Sequence, residues 1–137
     1  MTSATVTTTI SADEAAIRSV LGGIYDAWRA YDADAFADLY TEDATVVMPG
    51  LFHNGREAIR EFMAAAFAGR LAGTQGVDVP QSIRITGDAA IVVSHAGTLM
   101  PGEMTLAAER ERHATWVFVR SGGDWKIAAY ANAPVHL

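Results

Sequence analysis

The chain has no cysteine among its 137 residues, which excludes disulfide bonds, thiolate nucleophiles and cysteine-ligated zinc. Basic residues are also few: 10 Lys and Arg stand against 16 Asp and Glu, a net charge of −6. Such a chain does not offer the basic surface that follows a nucleic-acid backbone. No apolar run approaches the roughly 18–20 residues of a membrane-spanning helix. We therefore expect no nucleic-acid or membrane partner, and a cytoplasmic protein.

The first ten residues lack the basic cluster and the apolar core of a secretory signal. Their richness in Thr and Ser predicts a frayed or disordered tail over residues 1–10. Residues 11–137 then form a single domain. Half of all residues are hydrophobic, which is ample for a core and slightly high for a monomer. The excess predicts either an internal apolar pocket or a dimer interface.

The stretch 107–133 predicts a β-hairpin at the centre of a sheet. Its first run carries Trp116 and Phe118, and its second carries Trp125, Ile127 and Tyr130. The break between them, residues 121–124, contains two adjacent glycines, which adopt the positive φ angles of a tight turn at little cost.

Helical patterns precede the strands. Ser11 followed by Glu14 predicts a helix start, and apolar residues then recur at helical spacing up to Trp28. Gly22 and Gly23 interrupt this helix, which indicates a close approach or a kink. A second, short helix begins after Asp32 and ends at residues 41–43, and a third covers about 56–68 or 71. Strands are predicted at 44–48, 51–54, 77–85, with a bulge or break at Pro80, and 89–99.

This order predicts an α+β fold with a mainly antiparallel sheet and helices packed on one side. The segments DAWRAYDADAFADLYTEDATVVMPG, NGREAIREF and DWKIAAYANAPV together resemble the NTF2-like superfamily, which includes the SnoaL-like proteins. The segment GTLMPGEMTLAAERERHATWVFVRSGGDWKIAAYAN is similar to the SgcJ/EcaC branch, associated with enediyne and polyketide biosynthesis. The resemblance implies a cone: a strongly curved, mainly antiparallel sheet with three helices packed on its concave face.

Ketosteroid isomerase relatives of this superfamily use a pocket carboxylate as base, with a tyrosine and a protonated aspartic acid as oxyanion donors. The resemblance places Met48 at the position of the base and Ala114 at that of the neutral acid. The tyrosine falls near Ile24 or Tyr25. Two of three groups are absent, so this chemistry is not expected at that site. The aspartate pair and arginine of the epoxide hydrolase relatives are not matched either.

The same comparison puts Ala114, Trp116 and Phe118 on the concave side of the central strand. By alternation, Arg110 and Arg112 then lie towards the cavity mouth, where they can receive a carboxylate, an enolate or a thioester carbonyl. The alternative for both arginines is surface ion pairing with Glu103, Glu109 or Glu111. The opposite, convex face is apolar, and a second copy of the sheet would cover it, so we expect a homodimer.

Histidine supplies the other candidate chemistry. If Ile91, Val93 and His95 face inward, His95 is the titrating group of the cavity, while Ser94 points to the opposite face. The alternative for His95 is a hydrogen-bonded structural histidine. His53 lies near the rim beside Met48, or else is a loop histidine in solvent. The four histidines are scattered without carboxylates at ligand spacing, so no metal site is expected.

Several side chains are candidates for the pocket wall, although aromatic residues at helical spacing are more often ordinary core. Asn132 can hydrogen-bond a ligand or cap a turn. The full set of pocket candidates is Tyr25, Trp28, Met48, His53, Phe62, Phe67, Val93, Ala114, Trp116, Phe118 and Asn132.

Three functions are compatible with these features. The first is a binder of an apolar polyketide or polyene intermediate. The second is a cofactor-free isomerase, cyclase or hydratase that uses His95 with Arg110 or Arg112. The third is a dimeric partner module of a polyketide synthase. No cofactor is expected, because the sequence has no G-x-G-x-x-G motif between a strand and a helix and no flavin or haem motif.

Overall fold

A computed structural model of the chain describes residues 10–137; of the tail predicted for residues 1–10, all but Ile10 lies outside the described residues. The described part forms three α-helices and six β-strands. The helices are α1 (Ala12–Arg29), α2 (Ala33–Ala37) and α3 (Arg56–Ala68). The strands are β1 (Tyr40–Met48), β2 (Leu51–Asn54), β3 (Gln75–Thr86), β4 (Ala89–Leu99), β5 (Arg112–Ser121) and β6 (Asp124–Pro134), with a short 3₁₀ turn at Ala108–Arg110 before β5.

The first two helices begin where their capping residues predict. The Ser11 hydroxyl accepts a hydrogen bond from the Glu14 amide at 3.1 Å, and the Asp32 carboxylate accepts one from the Ala35 amide at 3.0 Å. Each bond satisfies one of the free amides at a helix N-terminus. The predicted helix starts are therefore confirmed.

The six strands form one sheet in the order β2-β1-β6-β5-β4-β3. The hairpin β5–β6 occupies its centre, as the sequence predicts. All neighbouring strands are antiparallel except β1 and β6, which pair in parallel. The helices cover one face, which we call the concave face, and the predicted α+β architecture is confirmed.

Alternating burial along β4 and β5 identifies the two faces of the sheet. Ala90, Val92, Ala114, Trp116 and Phe118 are buried on the concave face. There they pack against buried residues of the helices, which are Ile17, Leu21, Ile24, Phe36, Ile59, Met63 and Phe67. The convex face carries the intervening residues of the same strands.

Two β-bulges decide which residues of β3 and β6 face inward. In β3 the register shifts between Pro80 and Ser82, so that Val79 lies outside, while Ile83 pairs with the buried Val92. The predicted irregularity at Pro80 is present, but it breaks the alternation across it. In β6 a second shift lets both Ile127 and Tyr130 point to the concave face.

Two local features differ from the sequence interpretation. Residues 41–43 belong to β1 rather than to the end of α2, because Tyr40 pairs with Ile127 and the Leu39 carbonyl accepts the Ile127 amide at 2.9 Å. A close approach exists at Gly23, where an added Cβ would lie 3.1 Å from Leu39, but nothing lies within 4 Å at Gly22. No helix in the described residues is long and apolar enough to cross a membrane.

Candidate ligand-binding site

A cavity of about 470 Å³ lies between the concave face and the helices. Its wall is mostly apolar and aromatic, and Arg70, Arg110 and Arg112 also border it. The remaining lining residues are Ile24, Tyr25, Trp28, Phe36, Tyr40, Val46, Met48, Pro49, Leu51, His53, Ile59, Phe62, Met63, Leu71, Ala96, Gly97, Thr98, Met100, Trp116, Tyr130 and Asn132. A cavity of this size and composition suits a small organic molecule.

Aromatic side chains form two walls of the cavity. On the sheet, Trp116 and Tyr130 lie side by side on β5 and β6 with ring centroids 4.3 Å apart. On α1, Tyr25 and Trp28 are stacked with centroids 6.3 Å apart. Helix α1 comes close enough to β3 only because position 76 is glycine: a Cβ there would lie 2.6 Å from Tyr25 and 2.8 Å from Trp28.

A carboxyl group lies directly behind this aromatic wall. Asp78 Oδ2 accepts hydrogen bonds from the Tyr25 hydroxyl at 3.0 Å and from Trp116 Nε1 at 3.1 Å. Burial raises the pKa of the Asp78 carboxyl above its usual value, and the neighbouring donors, Tyr25 and Trp116 among them, oppose that rise only in part. Asp78 Oδ1 and the hydroxyl of the fully buried Ser94 have no hydrogen-bond partner among residues 10–137. The site therefore has a carboxyl group next to its wall whose protonation is made easier by burial.

A second polar group sits on β6. Asn132 Nδ2 donates to the Tyr130 hydroxyl at 2.7 Å, while Asn132 Oδ1 is buried without a partner in the described part of the chain. Burial raises the pKa of the Tyr130 hydroxyl, so it stays a neutral donor. Both residues line the cavity.

His53 lies against α3 on the edge strand β2. Its ring is 4.3 Å from that of Phe62, and its Nε2 is buried without a partner among the described residues. The Arg70 guanidinium lies 5.2 Å from the centroid of the same Phe62 ring. His53 lines the same cavity as Met48 and pairs with Val46 on β1. Its half-buried place in β2 differs from the alternative of a loop histidine in solvent.

The two arginines of the predicted mouth have different surroundings. Arg110 forms ion pairs with Glu103 and Glu109, as the alternative interpretation expected. Arg112 Nη1 instead donates hydrogen bonds to the backbone carbonyl oxygens of Glu109 and Glu111, each at 3.1 Å. Arg112 has no carboxylate partner within the described residues.

The cavity brings together nine of the predicted site residues, which are Tyr25, Trp28, Met48, His53, Phe62, Arg110, Arg112, Trp116 and Asn132. Four other pocket candidates do not line it. Phe67 packs in the helix core against Trp28 and Phe36, and Ala114 and Phe118 are fully buried on the concave face. Val93 lies on the convex face, because its neighbour Val92 is the buried one.

The inward orientation that a catalytic role of His95 requires is not found. The buried residues of β4 are Ala90, Val92, Ser94 and Ala96, so His95 faces the convex side and Ser94 the concave side. His95 Nε2 contacts Glu111 Oε2 at 3.0 Å, which lowers the pKa of Glu111. His95 is therefore outside the cavity, in agreement with the structural alternative.

Sequence reasoning missed Asp78. In the sequence Val77, Val79, Ile83 and Ile85 share a parity, and an uninterrupted strand with that alternation puts Asp78 on the opposite face. The bulge after Pro80 reverses this assignment, and Asp78 pairs with the buried Ala96. The only available signal was Pro80 itself, a residue that is confined to bulges and edges in sheets.

Solved structures with the same architecture define the class of this fold. A domain of unknown function with a cystatin-like fold from Nostoc punctiforme is 25% identical, with a TM-score of 0.85 over 94% of this chain and 81% of its own. An NTF2-like protein with a cystatin-like fold from Novosphingobium aromaticivorans is 23% identical, with a TM-score of 0.79 over 90% and 82%. An uncharacterised protein of this fold from Caulobacter vibrioides is 20% identical, with a TM-score of 0.73 over 89% of each chain.

The chain thus has an NTF2-like, cystatin-like fold with a cavity between its sheet and its helices. Residues 9–131 match the model of the SnoaL-like domain, and the protein belongs to that family. No curated protein matches the chain in sequence.

Proposed function

We propose that the protein binds an apolar small molecule of the polyketide or polyene type, as an accessory to natural-product biosynthesis of the enediyne or polyketide kind. The observation that carries this proposal is the cavity of about 470 Å³ with its aromatic walls. Flat, conjugated molecules gain binding energy from stacking on such rings and from burial of their apolar surface. The resemblance of residues 97–132 to the SgcJ/EcaC branch suggests the type of pathway.

Tryptophan fluorescence tests this proposal directly. Trp28 and Trp116 line the cavity, whereas Trp125 lies outside it, close to Asp13. A conjugated polyene that enters the cavity should quench the first two tryptophans in a saturable manner. Quenching should weaken in Trp28→Phe and Trp116→Phe and persist in the matched control Trp125→Phe. Absence of saturable quenching by a series of polyenes of different length would refute the proposal.

A second candidate function is a cofactor-independent isomerase, cyclase or hydratase. It is favoured by the Asp78 carboxyl, which touches the two cavity residues Tyr25 and Trp116. When Asp78 is protonated it can donate to the Tyr25 oxygen, and the Tyr25 proton is then free to bind a ligand carbonyl. With His95 on the convex face, this cluster takes the acid-base role in place of His95.

Asp78→Asn separates the enzyme from the binder. For an enzyme, the variant should lose turnover of the intermediate by at least about tenfold, while polyene binding persists. For a binder, production of the natural product should be the same with either form. Because both forms keep a polar side chain that can accept from Tyr25 and Trp116, loss of folding should not obscure the result.

The proposed homodimer uses the convex face. Val47 on β1, Phe52 on β2 and Val79 on β3 remain 47%, 63% and 56% exposed. Val47 and Phe52 are paired neighbours on β1 and β2, and together with Val93 and Val117 they supply an apolar surface for a second copy. Val117→Lys should shift the sedimentation coefficient from that of a dimer to that of a monomer.

The third candidate function is a partner module of a polyketide synthase. It predicts that the protein co-purifies with the synthase.

A further inference from the structure

The charge around the cavity is opposite to that of the whole chain. The net charge is −6, yet the lining includes three arginines and no aspartate or glutamate from the described residues. A cluster of charges of one sign beside an apolar, low-dielectric wall raises the local concentration of oppositely charged ligands. The arginines matter to a ligand only if their charge is not already compensated by the protein.

Arg110 is compensated. It forms ion pairs with Glu103 and Glu109, and its Nε donates to the Thr98 carbonyl at 3.1 Å. These contacts fasten the segment before β5 to the end of β4. We therefore assign Arg110 a structural role.

Arg112 is not compensated. Among residues 10–137 only its Nη1 has partners, the backbone carbonyls of Glu109 and Glu111, and these orient the guanidinium without neutralising it. The nearest acidic side chain in sequence, Glu111, is engaged on the convex side. There its Oε2 lies 3.0 Å from His95 Nε2 and 3.5 Å from His136 Nε2.

Arg70 is likewise uncompensated. It makes no ion pair within residues 10–137, and its guanidinium rests over the ring of Phe62. A contact between a cation and an aromatic face leaves the positive charge in place. Phe62 also contacts His53, whose buried Nε2 has no partner in the described part of the chain.

We propose that the cavity takes an amphipathic anion, whose carboxylate is bound by Arg112 and Arg70 and whose apolar, conjugated body lies against Trp116, Tyr130 and Trp28. This inference rests on the proposed ligand-binding function and specifies its ligand class. Arginine binds a carboxylate through charge-assisted, often bidentate hydrogen bonds, and such bonds are stronger than those to a neutral ester oxygen. The free acid of a polyene should accordingly be preferred to its ester.

Paired probes test the proposal on the full-length protein. The probes are cis-parinaric acid, a fluorescent conjugated polyene with a single carboxylate, and its methyl ester. The acid should bind at least about tenfold more tightly than the ester at neutral pH. Raising the salt concentration should weaken binding of the acid more than binding of the ester.

Matched variants locate the effect. Arg112→Gln should weaken binding of the acid by about tenfold or more and leave the ester unchanged, and Arg70→Gln should act in the same direction. The control is Arg84→Gln, which removes the same charge from β3, where Arg84 pairs with Ile91 on the convex face outside the cavity. Thermal unfolding of each variant verifies that it is folded.

The outcomes distinguish this inference from the function on which it rests. Equal affinity for acid and ester, or an equal loss of both in Arg112→Gln, overturns the anion site and leaves a neutral apolar binder. Failure of both probes to bind overturns the ligand-binding function as well. An equal effect of Arg84→Gln on the acid would show a response to net charge alone and would also overturn the proposal.

Discussion

Replacement of Gly76 by alanine should destabilise the protein because helix α1 lies directly on this position. An ideal Cβ at Gly76 would be 2.6 Å from Tyr25 Cε1 and 2.8 Å from Trp28 Cε3. Carbon atoms in contact normally lie about 3.5–4.0 Å apart, so the rings must retreat by about 1 Å. Neither ring is free to do so: Tyr25 is bonded to Asp78 at 3.0 Å and Trp28 Nε1 to Thr74 Oγ1 at 3.1 Å.

The magnitude follows from two opposing effects. Overpacking of a well-packed site costs about 1–3 kcal/mol. Alanine in place of glycine recovers about 0.4–1 kcal/mol, because the unfolded chain loses conformational freedom. We expect Gly76→Ala to lower the free energy of unfolding by about 1–2 kcal/mol and Tm by about 3–6 °C. Urea and thermal unfolding followed by circular dichroism measure both quantities.

Gly22→Ala is the matched control for this experiment. Gly22 lies within α1, and a Cβ there meets nothing within 4 Å. Because glycine is a poor helix former, alanine should raise the free energy of unfolding by about 0.5–1 kcal/mol. A glycine-to-alanine substitution should thus lower the free energy of unfolding at the contact between α1 and β3 and raise it at the open position 22 of α1. If Gly76→Ala were as stable as the parent or more so, the tight approach of α1 to β3 would be refuted.

Three further predictions, one of them with a matched control substitution, test other contacts. Folding raises the pKa of Asp78. Between the pKa of the unfolded chain and that of the folded protein, the native state therefore binds more protons than the unfolded state. The free energy of unfolding consequently falls as pH rises through that window. Asp78→Asn should remove this fall in urea unfolding at pH 4 to 8, and an unchanged slope would contradict the assignment. Trp116→Phe removes a hydrogen-bond donor to Asp78 and should lower the free energy of unfolding by about 1–3 kcal/mol. Trp125 Nε1 lies 3.4 Å from Asp13, and Trp125→Phe should lower that free energy by less in the same assay. Ser11→Ala should lower the free energy of unfolding by about 1 kcal/mol through loss of the helix cap, and an unaltered Tm would argue against that cap.

Local chemistry made the elements predictable. Ser11 and Asp32 mark helix starts because a short side chain there can accept a free helix amide, and this needs no tertiary contact. The two glycines before Asp124 both have positive φ and close the central hairpin. The order of these elements also identified the α+β fold, since helices followed by short-turn strands have few ways to bury one sheet face.

The composition of the cavity was only partly predictable. Of the predicted pocket candidates, Trp116, Trp28 and Phe62 line it, whereas Phe67 and Phe118 are buried in the core. A periodic pattern identifies which side of an element is buried. It does not distinguish a side chain that packs in the core from one that lines a cavity.

The sequence by itself determined the secondary-structure elements, the central hairpin and the apolar face of each helix, because these depend on residues within a turn or two of one another. Three features depend on tertiary contacts: His95 faces outward, Asp78 lies behind Tyr25 and Trp116, and Arg112 has no acidic partner in the part of the chain that the structure describes. The physical reason is that strand alternation has a period of two residues. A single bulge, such as the one after Pro80, exchanges the two faces, and its exact position is set by pairing with a strand distant in sequence.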